Sequence, residues 1–175
     1  MPPESLVIRP ANPADVSAVL ATLTEAGRWE ESQGFPNPWP VPFPLERIRP
    51  SLERGELFVA EGGTRSPIGT VTLQWEDVPF WGVRPPDSGY VHRLAVRRRY
   101  AGRGYGGAIL EWAAETSHAR GRTYLRLDCL RSATRLHRFY ESFGFQRVGD
   151  VTVGGLDCTL FERTLGPTPR ASGVG

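Results

Sequence analysis

The order of hydrophobic patterns predicts an α/β protein with an α+β-type mixed sheet, about seven strands with helices on both faces. Three observations carry this reading. Short apolar runs alternate with longer stretches of helical period. A Gly62-Gly63 turn joins two of the runs into a hairpin, which makes part of the sheet antiparallel. Later the chain reads strand, glycine-rich turn, helix, strand, and it closes on a final antiparallel pair.

The first strand is LVIRPA, from Leu6 to Ala11. Asn12 or Asp15 then caps a helix whose apolar positions Val16, Val19, Leu20 and Leu23 recur at helical spacing. FPNPWPVPFP, from Phe35 to Pro44, carries five prolines in ten residues and forbids a regular element. Its interleaved Phe35, Trp39 and Phe43 predict an ordered loop rather than a flexible linker. LERIRPSLERG predicts a short helix disturbed by Pro50 and stopped at Gly55. ELFVAE and SPIGTVTLQWE form the hairpin. Tyr90 to Val96 is the next strand, Gly104 to Arg120 a helix ended by Gly121, and TYLRLDC a further strand. Thr134 to Phe143 is a helix closed by Gly144, and FQRVGDV and DCTLFERTL are the last two strands. Residues 1–165 read as a single domain, and 166–175, rich in Pro, Gly and Ser, as a disordered tail.

The totals exclude several classes. Hydrophobic content of 39% with 23% charged residues is that of a globular protein, not a disordered one. No apolar run approaches the roughly 20 residues that span a bilayer, and MPPESLVIRP lacks a signal-peptide pattern. A cytoplasmic protein without a membrane partner is the expectation. The two cysteines, Cys129 and Cys158, are too few for a disulfide framework or a zinc site, and no metal is expected. Every one of the 21 basic residues is arginine, so a Walker loop with its lysine is excluded. A net charge of +2 argues against nucleic-acid binding.

The segment YVHRLAVRRRYAGRGYGG, Tyr90 to Gly107, carries the functional signal. Four glycines in six residues open a helix, so backbone N–H groups can turn onto an anion while the helix dipole points at the same place. Arg97, Arg98, Arg99 and Arg103 add charge and bidentate donors. These features suit a diphosphate. The loop also satisfies G-x-G-x-x-G, with Asp128 ending a strand about 20 residues on, as a dinucleotide site would have it. Against that, five residues separate Val96 from Gly102, and the unit follows an antiparallel hairpin. A nicotinamide or flavin oxidoreductase is therefore the lesser alternative.

The strand HRLAV, the arginine link RRRYA and the loop AGRGYG resemble the acyl-CoA core of the GCN5-related N-acetyltransferase (GNAT) superfamily. LRLDCLRSATRLHRFYESFGF is similar to that family's second signature, ending in F-Y-E-x-x-G-F. The resemblance spans nearly the whole ordered chain. It implies the GNAT-like fold, acetyl-CoA as cofactor, and direct transfer of an acetyl group, through a ternary complex, to a primary amine on a small molecule or peptide. A monomer or homodimer is expected. Two positions depart from the pattern: the Arg or Gln heading the loop is Ala101, and the asparagine seven residues before the tyrosine is Ala133. A sensor that binds acyl-CoA without turnover is the non-enzymatic alternative.

On this resemblance the cofactor would meet Leu94, Ala95 and Val96, whose amides polarise the thioester carbonyl. It would also meet Arg99, Ala101, Gly102, Arg103, Gly104, Tyr105, Gly106, Gly107 and Ala133. Tyr140 matches the family tyrosine that serves the departing thiolate; ordinary core packing with Leu136 and Phe143 is the competing reading. His92 alternates with Leu94 and Val96, which would put them on one face of the strand, and its imidazole suits proton abstraction. A histidine merely satisfied within the sheet is equally open, and Glu76, Glu30 and Asp87 are rivals for the base. Trp29, Glu30, Trp39, Trp75 and Trp81, with Phe80, are the candidate acceptor-binding residues, suited to a flat, apolar or cationic acceptor.

Overall fold

A computed structural model of the chain describes residues 5–63 and 66–166. The tail expected to be disordered lies, beyond Gly166, outside the described residues. Seven strands form one sheet: β1 (Leu6–Pro10), β2 (Leu57–Gly62), β3 (Pro67–Gln74), β4 (Ser88–Val96), β5 (Tyr124–Leu130), β6 (Gln146–Val153) and β7 (Leu156–Thr164). Their order across the sheet is β1-β2-β3-β4-β5-β7-β6. Only β4 and β5 are parallel; every other neighbouring pair is antiparallel. The helices are α1 (Val16–Ser32), α2 (Arg49–Glu53), α3 (Val78–Trp81), α4 (Tyr105–Ala119) and α5 (Thr134–Ser142). The predicted order of elements holds, with the single turn α3 added in the loop after β3.

Local chemistry explains the boundaries. Asn12 opens the first helical segment by accepting the Ala14 N–H at 2.9 Å, while Asp15 accepts the Asn12 N–H at 2.8 Å, a reciprocal capping box. Pro50 was expected to disturb its helix but lies in the first turn of α2, where a missing N–H costs nothing. The proline-rich segment is ordered as expected: the Phe43 N–H donates to Thr24 Oγ1 at 3.0 Å, and Phe43 itself is only 4% exposed.

Two apolar cores lie on opposite faces of the sheet. Val19, Leu23, Phe43, Ile48, Leu57 and Val59 pack with Ala95 on the α1–α2 side. Ile109, Leu110 and Ala113 of α4 pack with Ala60, Val91, Leu125, Leu127 and Phe161 on the other. Strand β2 shows the alternation that this requires, sending Leu57 and Val59 to one side and Ala60 to the other.

Strand β4 departs from that alternation. Its register on β3 runs Thr70 to Ala95 and then Thr72 to His92, leaving one residue on β3, Val71, against two on β4, Arg93 and Leu94. The extra residue makes a bulge, and within it Arg93 has φ +50°, the left-handed region that bulky residues avoid. The bulge exchanges the faces of the strand. Val91 joins the α4-side core before it, whereas Leu94 and Val96 pack against that same core after it. His92 therefore does not share a face with Leu94 and Val96, as plain alternation had implied; it lies on the face opposite Val91, and across the bulge opposite Leu94.

Strands β4 and β5 also part company here. They pair from Ser88 with Tyr124 only as far as Val91 with Leu127. Beyond that point β4 runs on to Val96 and β5 to Leu130 without bonding to each other. The result is a V-shaped opening in the middle of the sheet, with His92 and Asp128 as the first residues past its apex.

Candidate active site

The opening leads into a cleft of about 510 Å³. One wall is the unpaired edge of β4 from His92 to Val96; the opposite wall is Asp128, Cys129 and Leu130 of β5 with Leu136, Phe139, Tyr140 and Phe143 around α5. Trp29, Glu30 and Trp39 cover it from α1 and the proline-rich loop.

At one end lies the glycine loop. Gly102 and Gly104 have φ of +74° and +82°, conformations that a side chain would strain. They turn the chain so that α4 starts facing the cleft. Among the described residues, no backbone N–H from Gly102 to Gly107 finds an acceptor; the neighbouring Ala101 and Ala108 amides bond to Arg98 and Gly104. Six consecutive free donors at the start of a fifteen-residue helix make a strong anion-binding concavity. Gly107 has a second reason to lack a side chain, since a Cβ there would sit 2.3 Å from the Phe143 ring. Its absence lets α4 and α5 approach closely enough to form the cleft floor.

The expected cofactor residues Leu94, Ala95, Val96, Ala101, Gly102, Gly104, Tyr105, Gly106, Gly107 and Ala133 all line the cleft. Arg99 and Arg103 do not: their guanidinium groups lie over the Tyr100 ring, at 4.9 and 5.9 Å from its centroid. Arg98 lines the cleft instead, stacked on Trp29 at 3.7 Å. A diphosphate with an extended arm fits this set, since the free donors face one end and the unpaired β4 edge continues from it.

At the apex lie the titratable groups. His92 Nε2 is 2.8 Å from Asp77 Oδ2. An ionised carboxylate can only accept, so Nε2 carries a proton in this pairing. Nδ1 faces Asp128 Oδ1 at 3.7 Å, and that oxygen is buried with no hydrogen-bond partner. Burial pushes the Asp128 carboxyl up to about 6; the charge of Asp77 adds to this and that of His92 opposes it. The two aspartates address opposite ring nitrogens, Asp77 within hydrogen-bond distance and Asp128 beyond it. Tyr140 lines the opposite wall, and its hydroxyl makes no hydrogen bond among the described residues. Burial, with lesser contributions from Cys129 and Asp128, raises its pKa well above the ordinary phenol value. Burial also pushes the thiols of Cys129 and Cys158 up, to about 12 and about 11.

Asp128 was legible in the sequence only as the acidic residue of a dinucleotide motif. The signal that finds it is parity: Leu125, Leu127 and Cys129 belong to the α4-side core, so Arg126 and Asp128 face the other side, with His92. Glu76 lies outside the main cleft, exposed on an adjoining polar hollow of about 390 Å³ that also includes Asp77, Phe80, His92 and Arg93. Of the rival acids, Glu30 is paired with Arg135 at 2.5 Å and Asp87 bonds Ser88 and Arg126.

The aromatic candidates divide. Trp29, Trp39 and Phe80 line the cleft. Trp75 packs elsewhere, beneath the guanidinium of Arg120 at 4.1 Å. Trp81 is 6% exposed, edge-on to Tyr90 and against Arg126, and fills space under α3.

Comparison with known proteins agrees with this geometry. The model of the Acetyltransferase (GNAT) family matches residues 24–145. The chain is 32% identical over 164 residues to the uncharacterized N-acetyltransferase YesJ of Bacillus subtilis (strain 168), covering 89% of this chain and 88% of that protein. The crystal structure of a GNAT-family acetyltransferase from Listeria monocytogenes 4b F2365 superposes with a TM-score of 0.77 at 22% identity, over 93% of this chain and 96% of that one. An N-acetylglutamate synthase from Neisseria gonorrhoeae, solved with coenzyme A and N-acetyl-glutamate, gives 0.67 at 19% identity, over 93% of this chain and 35% of its own. No helix among the described residues is long and apolar enough to cross a membrane. With a family model covering most of the chain and a relative matched nearly end to end, the protein belongs to the GNAT family of acetyltransferases.

Proposed function

We propose that the protein moves an acetyl group from acetyl-CoA directly onto a primary amine, with Asp128 as the base and Tyr140 as the acid. The observation that carries this reading is the run of free amides from Gly102 to Gly107 opening into the same cleft as Asp128 and Tyr140. Those amides and Arg98 would hold the diphosphate. The edge of β4 at Leu94, Ala95 and Val96 would hold the arm and donate toward the carbonyl oxygen, a contribution of about 3–4 kcal/mol where such donors are preorganised. Acetyl-CoA brings an acyl group already activated as a thioester.

The residues of the chain then handle two protons. An alkylammonium, with a pKa of about 10 in water, enters beside the Asp128 carboxylate. Asp128, ionised above pH 6 or so, takes the proton that must leave before nitrogen can attack. His92, fixed by Asp77, turns Nδ1 toward the Asp128 carboxylate, and its charge lowers the pKa of that carboxyl. Tyr140 keeps its own proton across the working pH range and gives it, or a strong hydrogen bond, to the departing thiolate. Neither cysteine is ionised near neutral pH, which speaks for direct attack over an acyl-cysteine relay. Titration calorimetry with acetyl-CoA tests the foundation: saturable binding is expected, and none at millimolar cofactor refutes the proposal. Release of free thiol on adding an amine then separates turnover from mere sensing.

A further inference from the structure

The bulge that separates His92 from Leu94 places a cation where the acceptor must lie. Arg93 is half-buried at the boundary of the main cleft and the adjoining polar hollow, lining both. Its guanidinium lies 5.9 Å from the centre of the Phe43 ring. Among the described residues its side chain has no ion pair and no hydrogen bond. Burial, and the charge of nearby Arg47, disfavour its charged form. Arg47 also lines the cleft, and its side chain likewise has no carboxylate partner. The contrast with other arginines is sharp: Arg126 holds Glu162, Asp87 and Tyr90, and Arg135, which lines the same cleft, holds Glu30. Two neighbouring cations, one of them half-buried, are costly without a counter-anion.

The diphosphate does not supply that anion. Its donors are the Gly102–Gly107 amides, whereas Arg93 borders the hollow formed with Asp77, Phe80 and His92, on the acceptor side. We infer that the acceptor is an amine that also carries a carboxylate, held by Arg93 and Arg47 while its amino group lies beside Asp128. Such a molecule answers both ends of the site. Its ammonium meets the Asp77–His92–Asp128 cluster, its carboxylate meets the guanidinium pair in charge-assisted bonds, and Trp29, Trp39 and Phe80 are placed to cover its apolar part. This rests on the acetyl-CoA reading above and narrows its acceptor to an amino-acid class.

The test compares free amino acids with their carboxamides and their decarboxylated amines, with O-phosphoethanolamine as a phosphate-bearing control, by thiol release at saturating acetyl-CoA. The expected result is a kcat/KM preference of about tenfold or more for carboxylates over the matching amides, the worth of one charge-assisted contact. Arg93→Gln and Arg47→Gln should each raise KM for the acids about tenfold, removing most of their advantage over the matching amides. Arg47 is exposed, so its variant folds even if the Arg93 one does not. Equal rates on acids and amides, a preference for neutral, cationic or phosphate-bearing amines, or failure of every carboxylate overturns the inference. Calorimetry keeps the two readings apart: if acetyl-CoA binds and neutral amines are acetylated, only the acceptor class fails; if it does not bind, both fail.

Discussion

Asp128→Asn is the most informative perturbation, because it should move activity and stability in opposite directions. The carboxyl rises from its ordinary 3.8 to about 6 in the folded protein. A raised carboxyl pKa means that the folded state prefers the protonated form, so ionised Asp128 opposes folding. The sign follows directly. Well below pH 3.8 the group is protonated in both states and costs nothing; the cost grows as pH rises and is complete above about 6. Two pKa units correspond to about 3 kcal/mol, an upper figure for a side chain that is 11% exposed. The asparagine keeps the shape without the charge, so thermal unfolding should show the variant stabilised at pH 8, with the difference gone well below pH 3.8. Activity should fall about 10²- to 10⁴-fold at neutral pH, and the acid limb centred near pH 6 should vanish from the kcat/KM profile. A variant that keeps this limb, or that gains no stability at pH 8, refutes the assignment of Asp128 as a buried, ionised base.

The neighbours should shift that same limb without abolishing it. His92→Gln removes a charge that lowers the Asp128 pKa, so the limb should move to higher pH, whereas Asp77→Asn should move it lower; loss of the limb in His92→Gln would make the imidazole itself the base. Tyr140→Phe should reduce kcat by about 10²-fold or more with acetyl-CoA affinity unchanged, because the ring still packs on Phe139, Phe145 and Phe161; normal turnover would return this tyrosine to the core. Gly104→Val, at φ +82°, should strain the loop by about 1–3 kcal/mol and weaken acetyl-CoA binding about tenfold or more by calorimetry. Arg93→Gly relieves a left-handed backbone and an unpaired charge, so denaturant unfolding should show it no less stable than wild type although it loses the carboxylate preference; a loss above about 2 kcal/mol would make Arg93 structural.

The parts of the fold visible in the sequence were those written in local pattern. Helical spacing at Val16, Val19, Leu20 and Leu23, the glycines of the loop, and the Phe-Tyr pair of α5 gave the elements and the residues that line the cleft at the candidate anion end and at Tyr140. What escaped was set between strands. Nothing in YVHRLAV announces that one more residue is spent on β4 than on β3, and that single count decides on which face His92 lies. Asp128 needed its partner across the sheet before its parity meant anything. Trp75 and Trp81 look as good as Trp29 and Trp39 in composition. Only packing against Arg120 and Tyr90 separates the pair that lies outside the cleft from the pair that lines it.

The cleft gathers groups that the fold itself leaves wanting a partner, and their order along it is a description of what is missing. Six amides without acceptors stand at the Gly102–Gly107 end. The buried Asp128 oxygen without a donor stands at the apex, where β4 and β5 part. Beyond it Arg93 and Arg47 have no anion. Charges on other parts of the sheet are paired, as in Arg9 with Asp15 and Glu61 or Arg163 with Glu111. Of these, the Asp128 oxygen and the half-buried Arg93 cost stability while unpaired. The sequence of wants, anion, then protonated amine, then anion, is the one that the proposed diphosphate-bearing donor and amino-acid acceptor would answer. One backbone event supplies the geometry for the last two: the bulge that holds Arg93 at the cleft boundary also puts His92 on the face opposite Leu94, the face of Asp128.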